Sequence, residues 1–287
     1  MSLSLGVIFG LVVMIGWGAH KLFAKKLINR VGAYSGLIYT NSVIVGLVVI
    51  YCLATGTFAV PSKNIFLLTL LLAFLGALGA FFLYKSMEIG KLSIVVPISH
   101  VYSVIIVFLA FIFFGERLTR MQLSAVILAI LGTLLISFKY SEFKKIELKK
   151  ASKGVPYALA TTLCWGIVYF LIRIIVNELG PFVTSLYFET IILTLLILPV
   201  IFGFVKLAKP KNKDVKLFLV SGLLAGIGAV AYNAGVSREM VSIVGPLSGA
   251  SLMVTVILSY LFLKERIELN QKLAVLMIFA GIVMLAL

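Results

Sequence analysis

The sequence predicts an all-α integral membrane protein of ten transmembrane helices, built as two inverted five-helix repeats. Three observations carry that prediction. Hydrophobic residues make up 62% of the 287-residue chain and charged residues 12%, with a mean hydropathy of +1.19, so there is too little polar surface to cover a soluble globule of this size. The apolar runs have the length of about twenty residues that a helix needs to cross a bilayer core, not the alternating segments of about ten residues that build a strand barrel. Finally, the chain repeats itself: FFGERLTRMQLSAVILAILGTLLIS at 113–137 returns as FLKERIELNQKLAVLMIFAGIVMLA at 262–286.

The spans fall near 4–24, 33–54, 65–87, 92–114, 119–138, 154–176, 181–204, 215–236, 241–263 and 269–287. The first is a permanent helix and not a cleaved leader, because no basic residue precedes it, no clean small-x-small site follows it, and its counterpart lies inside the chain. It carries Gly16, Trp17 and Gly18; the second span carries Asn41, and the third carries Tyr84 and ends in the (i, i+3) pair Lys85 and Glu88. The fourth contains Pro97 about five residues in, where the missing N–H frees a carbonyl and permits a bend. Glu116-Arg117 marks the hairpin into the fifth span, placing an acid at a helix N-terminus. A basic linker, 139–153, separates unit 1–138 from unit 154–287. In the second unit Trp165-Gly166, Glu189, Gly222-x-x-x-Gly226, Tyr232, Pro246 and Glu265-Arg266 follow in order, and the glycine pair reads as a helix-packing face.

Pro97, Glu116-Arg117 and Gly132 match Pro246, Glu265-Arg266 and Gly281 at a spacing of 149, and Trp17-Gly18 matches Trp165-Gly166 at 148. Five spans is an odd number, so the second unit enters the membrane with the opposite orientation. The net charge of +15 would suggest nucleic acid in a soluble protein. Here nineteen of the 25 Lys and Arg residues fall in the odd-numbered connections and four in the even-numbered ones. The positive-inside rule then puts the odd connections in the cytoplasm and both termini outside, and nucleic-acid binding is a poor explanation of the charge. Cys52 and Cys164 lie within spans and suggest no disulfide framework.

Paired five-span units, Trp-Gly in the first span of each, a proline entering the fourth, and Glu-Arg before a glycine-bearing fifth span resemble the EamA-type units of the drug/metabolite transporter superfamily. The resemblance covers essentially the whole chain. It implies ten helices with inverted pseudosymmetry, alternating access, and a central cavity lined mainly by spans 1, 3, 4, 6, 8 and 9. It also implies both termini in the cytoplasm, opposite to the charge count.

Polar groups inside apolar spans are where function should lie, because an ionisable side chain there costs a few kcal/mol or more unless it serves or is satisfied. Glu189 sits about eight residues into the seventh span, roughly 12 Å along a helix. It could carry a proton or neutralise a cationic solute. Its repeat partner is Asn41, which hydrogen-bonds but does not titrate. His100 is similarly deep and could respond to pH, but its counterpart is Gly249, so any such role is one-sided. Lys21 and Arg173 read as snorkelling residues near span ends. Trp17 and Trp165 lie too deep for an interfacial belt and, with Tyr84, Tyr102, Tyr169, Tyr187 and Tyr232, form a candidate aromatic binding set. Aromatic faces beside one carboxylate suit an organic cation, at about 0.5–2 kcal/mol per ring. Pro97 and Pro246 are the candidate gating positions.

A membrane enzyme would need a nucleophile with a base or a metal cluster, and the chain has two histidines, two cysteines and no phosphate-binding loop. No metal or cofactor is expected. An ion channel lacks a filter-like ring of acidic or carbonyl groups. A lipid flippase would need a cavity open sideways to lipid. The expectation is therefore a secondary or facilitative transporter in the cell membrane, with the bilayer and a small cationic or zwitterionic metabolite, such as choline or an amino acid, as its partners and H+ as a possible coupling ion.

Overall fold

A computed structural model describes residues 4–89, 92–137, 152–264 and 266–286. Among them the chain is helical throughout: α1 (Leu5–Val31), α2 (Ala33–Thr55), α3 (Lys63–Ile89), α4 (Leu92–His100), α5 (Tyr102–Phe113), α6 (Arg120–Ser137), a 3-10 turn (Ser152–Gly154), α7 (Val155–Ile201), α8 (Asn212–Val236), α9 (Val241–Gly249), α10 (Ser251–Leu263) and α11 (Leu269–Ala286). Most of the predicted linker, and Glu265, lie outside the described residues. Eight helical stretches are long and apolar enough to cross a membrane, and Leu269–Leu285 is a shorter apolar helix.

The 47 residues of α7 would extend roughly 70 Å if straight, more than twice a bilayer core. The helix breaks at Gly180, with φ 74° and ψ 168°, before Pro181. Gly32, at the repeat-equivalent position between α1 and α2, has nearly the same conformation, φ 80° and ψ 163°. Only glycine takes that conformation readily. The arms 155–179 and 181–201 therefore correspond to α1 and α2.

The fourth and ninth spans are interrupted, but not at the prolines. The helices are interrupted at Val101 and Ala250, four residues after Pro97 and Pro246. There the chain tightens into i→i−3 bonds, Val101 N–H to Ile98 O (3.1 Å), Val104 N–H to Val101 O (2.8 Å) and Met253 N–H to Ala250 O (2.9 Å). Side chains also bond nearby carbonyls, Ser99 Oγ to Val96 (2.8 Å) and Ser248 Oγ to Gly245 (2.6 Å), which competes with the regular ladder.

Lipid offers helices little hydrophobic drive to associate, so close packing at small residues takes its place. The broadest contacts all join the two units: α1 with α8, α3 with α7, and α6 with α11. They are reciprocal. Gly18 of α1 packs on Val254 of α10, while its equivalent Gly166 of α7 packs on Ile105 of α5, the equivalent of Val254. Gly132 meets Ala274 and Ile278 of α11, and Gly281 meets Ala125 and Ala129 of α6.

A side chain at Gly281 would start 2.7 Å from the Ala125 carbonyl oxygen, a backbone atom that cannot swing away. Gly281→Leu should therefore destabilise the detergent-solubilised protein by about 1–3 kcal/mol. Gly46→Ala, which meets nothing within 4 Å, should leave the melting temperature unchanged or slightly raised; equal melting of the two variants would refute this packing argument.

Candidate functional site

Two tryptophan–glycine contacts set the centre of the protein. The Trp17 indole lies against Gly228 of α8, and the Trp165 indole against Gly79 of α3; a Cβ built on either glycine would fall 2.3 Å from Trp17 Cδ1 or 2.6 Å from Trp165 Cδ1. Both members of each pair are equivalent in the repeat. Trp17 Nε1 donates to Ala225 O at 3.3 Å, which fixes the ring's rotation. Both tryptophans are half-buried.

From these anchors the rings run together. Tyr169 contacts Trp17 (5.5 Å between centroids), Trp165 (6.2 Å), Tyr102 (5.6 Å) and Tyr232 (5.0 Å). Trp17 stacks on Tyr232 at 5.8 Å, and Trp165 meets Tyr102 edge-on at 6.1 Å. The Tyr232 hydroxyl donates to Tyr169 O (2.9 Å), and the Tyr102 hydroxyl is 3.2 Å from Ser248 Oγ. Tyr169 is half-buried, and its hydroxyl has no partner among the described residues. Five of the predicted rings thus converge, from both halves of the chain. Tyr187 does not join them: its hydroxyl donates to Ala59 O (3.3 Å) in the loop between α2 and α3. Tyr84 lies on α3, but its side chain is outside the described residues.

On one side of the rings, Asn41 Nδ2 of α2 donates to Glu189 Oε2 of α7 at 2.6 Å, so these repeat-equivalent residues bind each other. Asn41 is buried and its Oδ1 has no partner, while Glu189 is half-buried and acts electrostatically on Tyr169. On another side, Lys21 of α1 reaches Ser251 Oγ of α10 (2.9 Å) and His100 Nε2 of α4 (3.3 Å). His100 Nδ1 lies 2.9 Å from the Val96 carbonyl, which can only accept. The imidazole therefore carries its proton on Nδ1 and offers the Nε2 lone pair to the Lys21 ammonium. A second proton on His100 would set two cations against each other. His20, the next residue along α1, faces α8 instead, 2.9 Å from Ser221 Oγ.

Lys21 turns inward: its ammonium bonds groups of α4 and α10, and α1 continues beyond it to Val31. Arg173 is also held inside the protein edge, where it pairs with Glu116 and lies over the Phe114 ring. Glu116 does not serve the helix that follows it. Its carboxylate, almost fully buried, accepts from the Val241 and Ser242 backbone N–H groups (both 2.9 Å) and from Ser242 Oγ (2.5 Å) at the N-terminus of α9. Among the described residues no group of three or more His, Cys, Asp and Glu side chains could hold a metal.

The model of the EamA-like transporter family matches residues 4–138 and 152–287. The chain belongs to the EamA-like transporter family. This EamA-like chain is 26% identical over 285 residues to the uncharacterized transporter YxxF of Bacillus subtilis, covering 97% of its own length and 88% of that protein. It is 23% identical over 291 residues to an uncharacterized transporter of Archaeoglobus fulgidus, covering 99% and 98%. An uncharacterized protein of Methanocaldococcus jannaschii is 30% identical over 131 residues, which is 46% of this chain and 95% of that one, the length of a single unit. A crystal structure of another protein, 16% identical, superposes with a TM-score of 0.81 over 98% of this chain and 96% of its own, and shows the same fold.

Sequence reasoning missed the position of Lys21 in this EamA-like protein. The signal was available in the repeat: Lys21 follows Trp17 by four residues as Tyr169 follows Trp165, which puts each pair on one helix face. Ser251 is likewise the equivalent of Tyr102.

Glu116→Gln would weaken the Arg173 pair and the capture of the α9 N-terminus together. It should cost about 2–4 kcal/mol in unfolding of the purified EamA-like protein. Arg117→Ala removes an exposed side chain over Phe111 and should cost less than about 1 kcal/mol. Comparable losses for the two would contradict the buried network.

Proposed function

We propose that the protein carries a small cationic or zwitterionic organic solute across the cell membrane, bound among Trp17, Trp165, Tyr102, Tyr169 and Tyr232 beside Glu189. The observation that carries this reading is the convergence of these rings from both halves of the chain. Ring faces attract a cation, and Glu189, whose hydrogen-bonding partner is a neutral amide, supplies the balancing charge.

In this reading ten helices cross the bilayer as two inverted units, 1–138 and 154–287, and one unit rocks against the other to expose the site alternately. The reciprocal glycine contacts and the matching breaks at Gly32 and Gly180 support the inversion. The tightened turns at Val101 and Ala250 give the fourth and ninth spans a place to flex beside the rings, in the role first assigned to Pro97 and Pro246. The odd-numbered loops face the cytoplasm. A proton on Glu189, a counter-solute or the solute's own gradient drives the movement; His100, already bonded to a cation, is the poorer proton carrier.

A lipid flippase is the second reading, and two grooves speak to it. One, of 520 Å³, lies between α1, α2, α7 and α8, and another, of 610 Å³, lies between α5, α6 and α9. Both are lined mostly by apolar side chains such as Tyr51, Ile227, Phe108 and Ile127, which suit acyl chains, with Arg238 in the first and Arg117 in the second as the charge a headgroup could meet.

Uptake into proteoliposomes of choline, amino acids and sugars distinguishes these readings. The parent protein should accumulate an amine-bearing solute, Glu189→Gln should lower that uptake at least tenfold, and Trp17→Ala should raise its KM. Undiminished uptake by Glu189→Gln would remove the electrostatic basis of the proposal, and lipid scrambling without uptake of any solute would favour the flippase.

A further inference from the structure

Building on the aromatic centre as a solute site, we infer that Lys21, with Ser251 and His100, forms a carboxylate-binding subsite, so that the preferred solute is a zwitterion and not a simple amine. The subsite draws on three helices. Lys21 comes from α1, one turn beyond Trp17 on the same face; His100 ends α4, where the chain is interrupted; Ser251 begins α10 at the matching interruption in the second unit. His100 and Ser251 are both buried.

The charge arrangement is the argument. An ammonium has three N–H donors, and neutral acceptors, a hydroxyl and an imidazole nitrogen, take two of them. Among the described residues no Asp or Glu pairs with Lys21, whereas Arg30 pairs with Asp214 and Arg173 with Glu116. An ammonium held against buried groups is expensive without an anion. Glu189 presents the complementary case, a carboxylate held by an amide and, among the described residues, paired with no cation. These two charges are not joined to each other, and Trp17 and Tyr169, in ring contact at 5.5 Å, stand beside them. A solute with an ammonium and a carboxylate at opposite ends satisfies both. A quaternary amine satisfies one and leaves Lys21 unmatched. A phosphate, with its larger charge, would call for a second cation, and the nearby His100 is already an acceptor toward Lys21.

The repeat supplies an internal comparison. The positions equivalent to Lys21 and Ser251 are Tyr169, in the second half, and Tyr102, in the first, in ring contact at 5.6 Å. Both contacts join the two halves, and the repeat-equivalent of the cationic polar contact is an aromatic one. The site therefore has one anion-seeking side, which orients the solute.

Equilibrium binding of matched pairs to the purified protein tests this: glycine betaine against choline, and phenylalanine against phenethylamine, each pair differing in the carboxylate. The parent should bind the carboxylated member of at least one pair about tenfold or more tighter, since a charge pair of this kind is worth at least that ratio. Lys21→Gln should collapse the ratio toward one, Lys21→Arg should keep most of it, and Ser251→Ala should reduce it severalfold. The Ser251→Ala and Lys21→Arg measurements keep the test open if Lys21→Gln does not fold. Equal affinity for both members in the parent, or a ratio that survives Lys21→Gln and Ser251→Ala, overturns the subsite while leaving the amine site intact. Binding of neither member of either pair overturns the amine site, and the subsite with it.

Discussion

Everything at the centre of this protein rests on two tryptophan indoles lying against two glycines. In a bilayer, helices gain little from leaving lipid for one another, so contact must be close to be worth making. Gly228 and Gly79 have no side chain, and the indoles of Trp17 and Trp165 occupy the space a Cβ would take. That brings α1 onto α8 and α3 onto α7, each contact crossing from one unit to the other. One side of each indole is spent on packing; another meets the tyrosines. The same helix turn that seats Trp17 carries Lys21, and the one that seats Trp165 carries Tyr169. Structural register and binding chemistry are thus set by one contact made twice.

The parts of this arrangement that were legible in the sequence are those the repeat encodes directly. The spacing of 148 or 149 paired the tryptophans, and it paired Asn41 with Glu189 before the two were seen to touch. What was not legible depended on where helices end and which way they face. Lys21 read as an edge residue of the first span, and what was hidden is its direction: the ammonium turns onto α4 and α10. Tyr187 had the right depth but stands two residues from Glu189, about 200° around the helix, so the two could not serve one side. The role of Glu116 was hidden for another reason. A carboxylate at a hairpin has a plausible local partner, and nothing local announces that the backbone it binds lies over a hundred residues away.

That long-range bond explains a feature of the architecture. The helix α9 is short, begins inside the protein and has its first N–H groups where water is scarce. Such a terminus carries partial positive charge and unsatisfied donors. Glu116 supplies both charge and acceptors from the other unit, and Arg173 balances the carboxylate. The result is a joint between halves that is polar, directional and made of few groups. Extensive apolar packing holds the rest of the interface, so any movement of one half against the other must keep or break this joint as a discrete event.

The hydrogen bond between Asn41 and Glu189 has an evolutionary consequence. Residues at equivalent places in two copies of a unit meet each other only on the axis that relates them. Were the same contact formed by two identical chains, it would hold either two amides or two carboxylates. The first has no charge to offer a solute; the second sets like charges together at a depth where that is costly. A single acid facing a single amide is open only to a fused pair whose halves are free to diverge. Joining the units into one chain thus lets an acid face an amide where equivalent residues meet, a pairing that two identical chains cannot make.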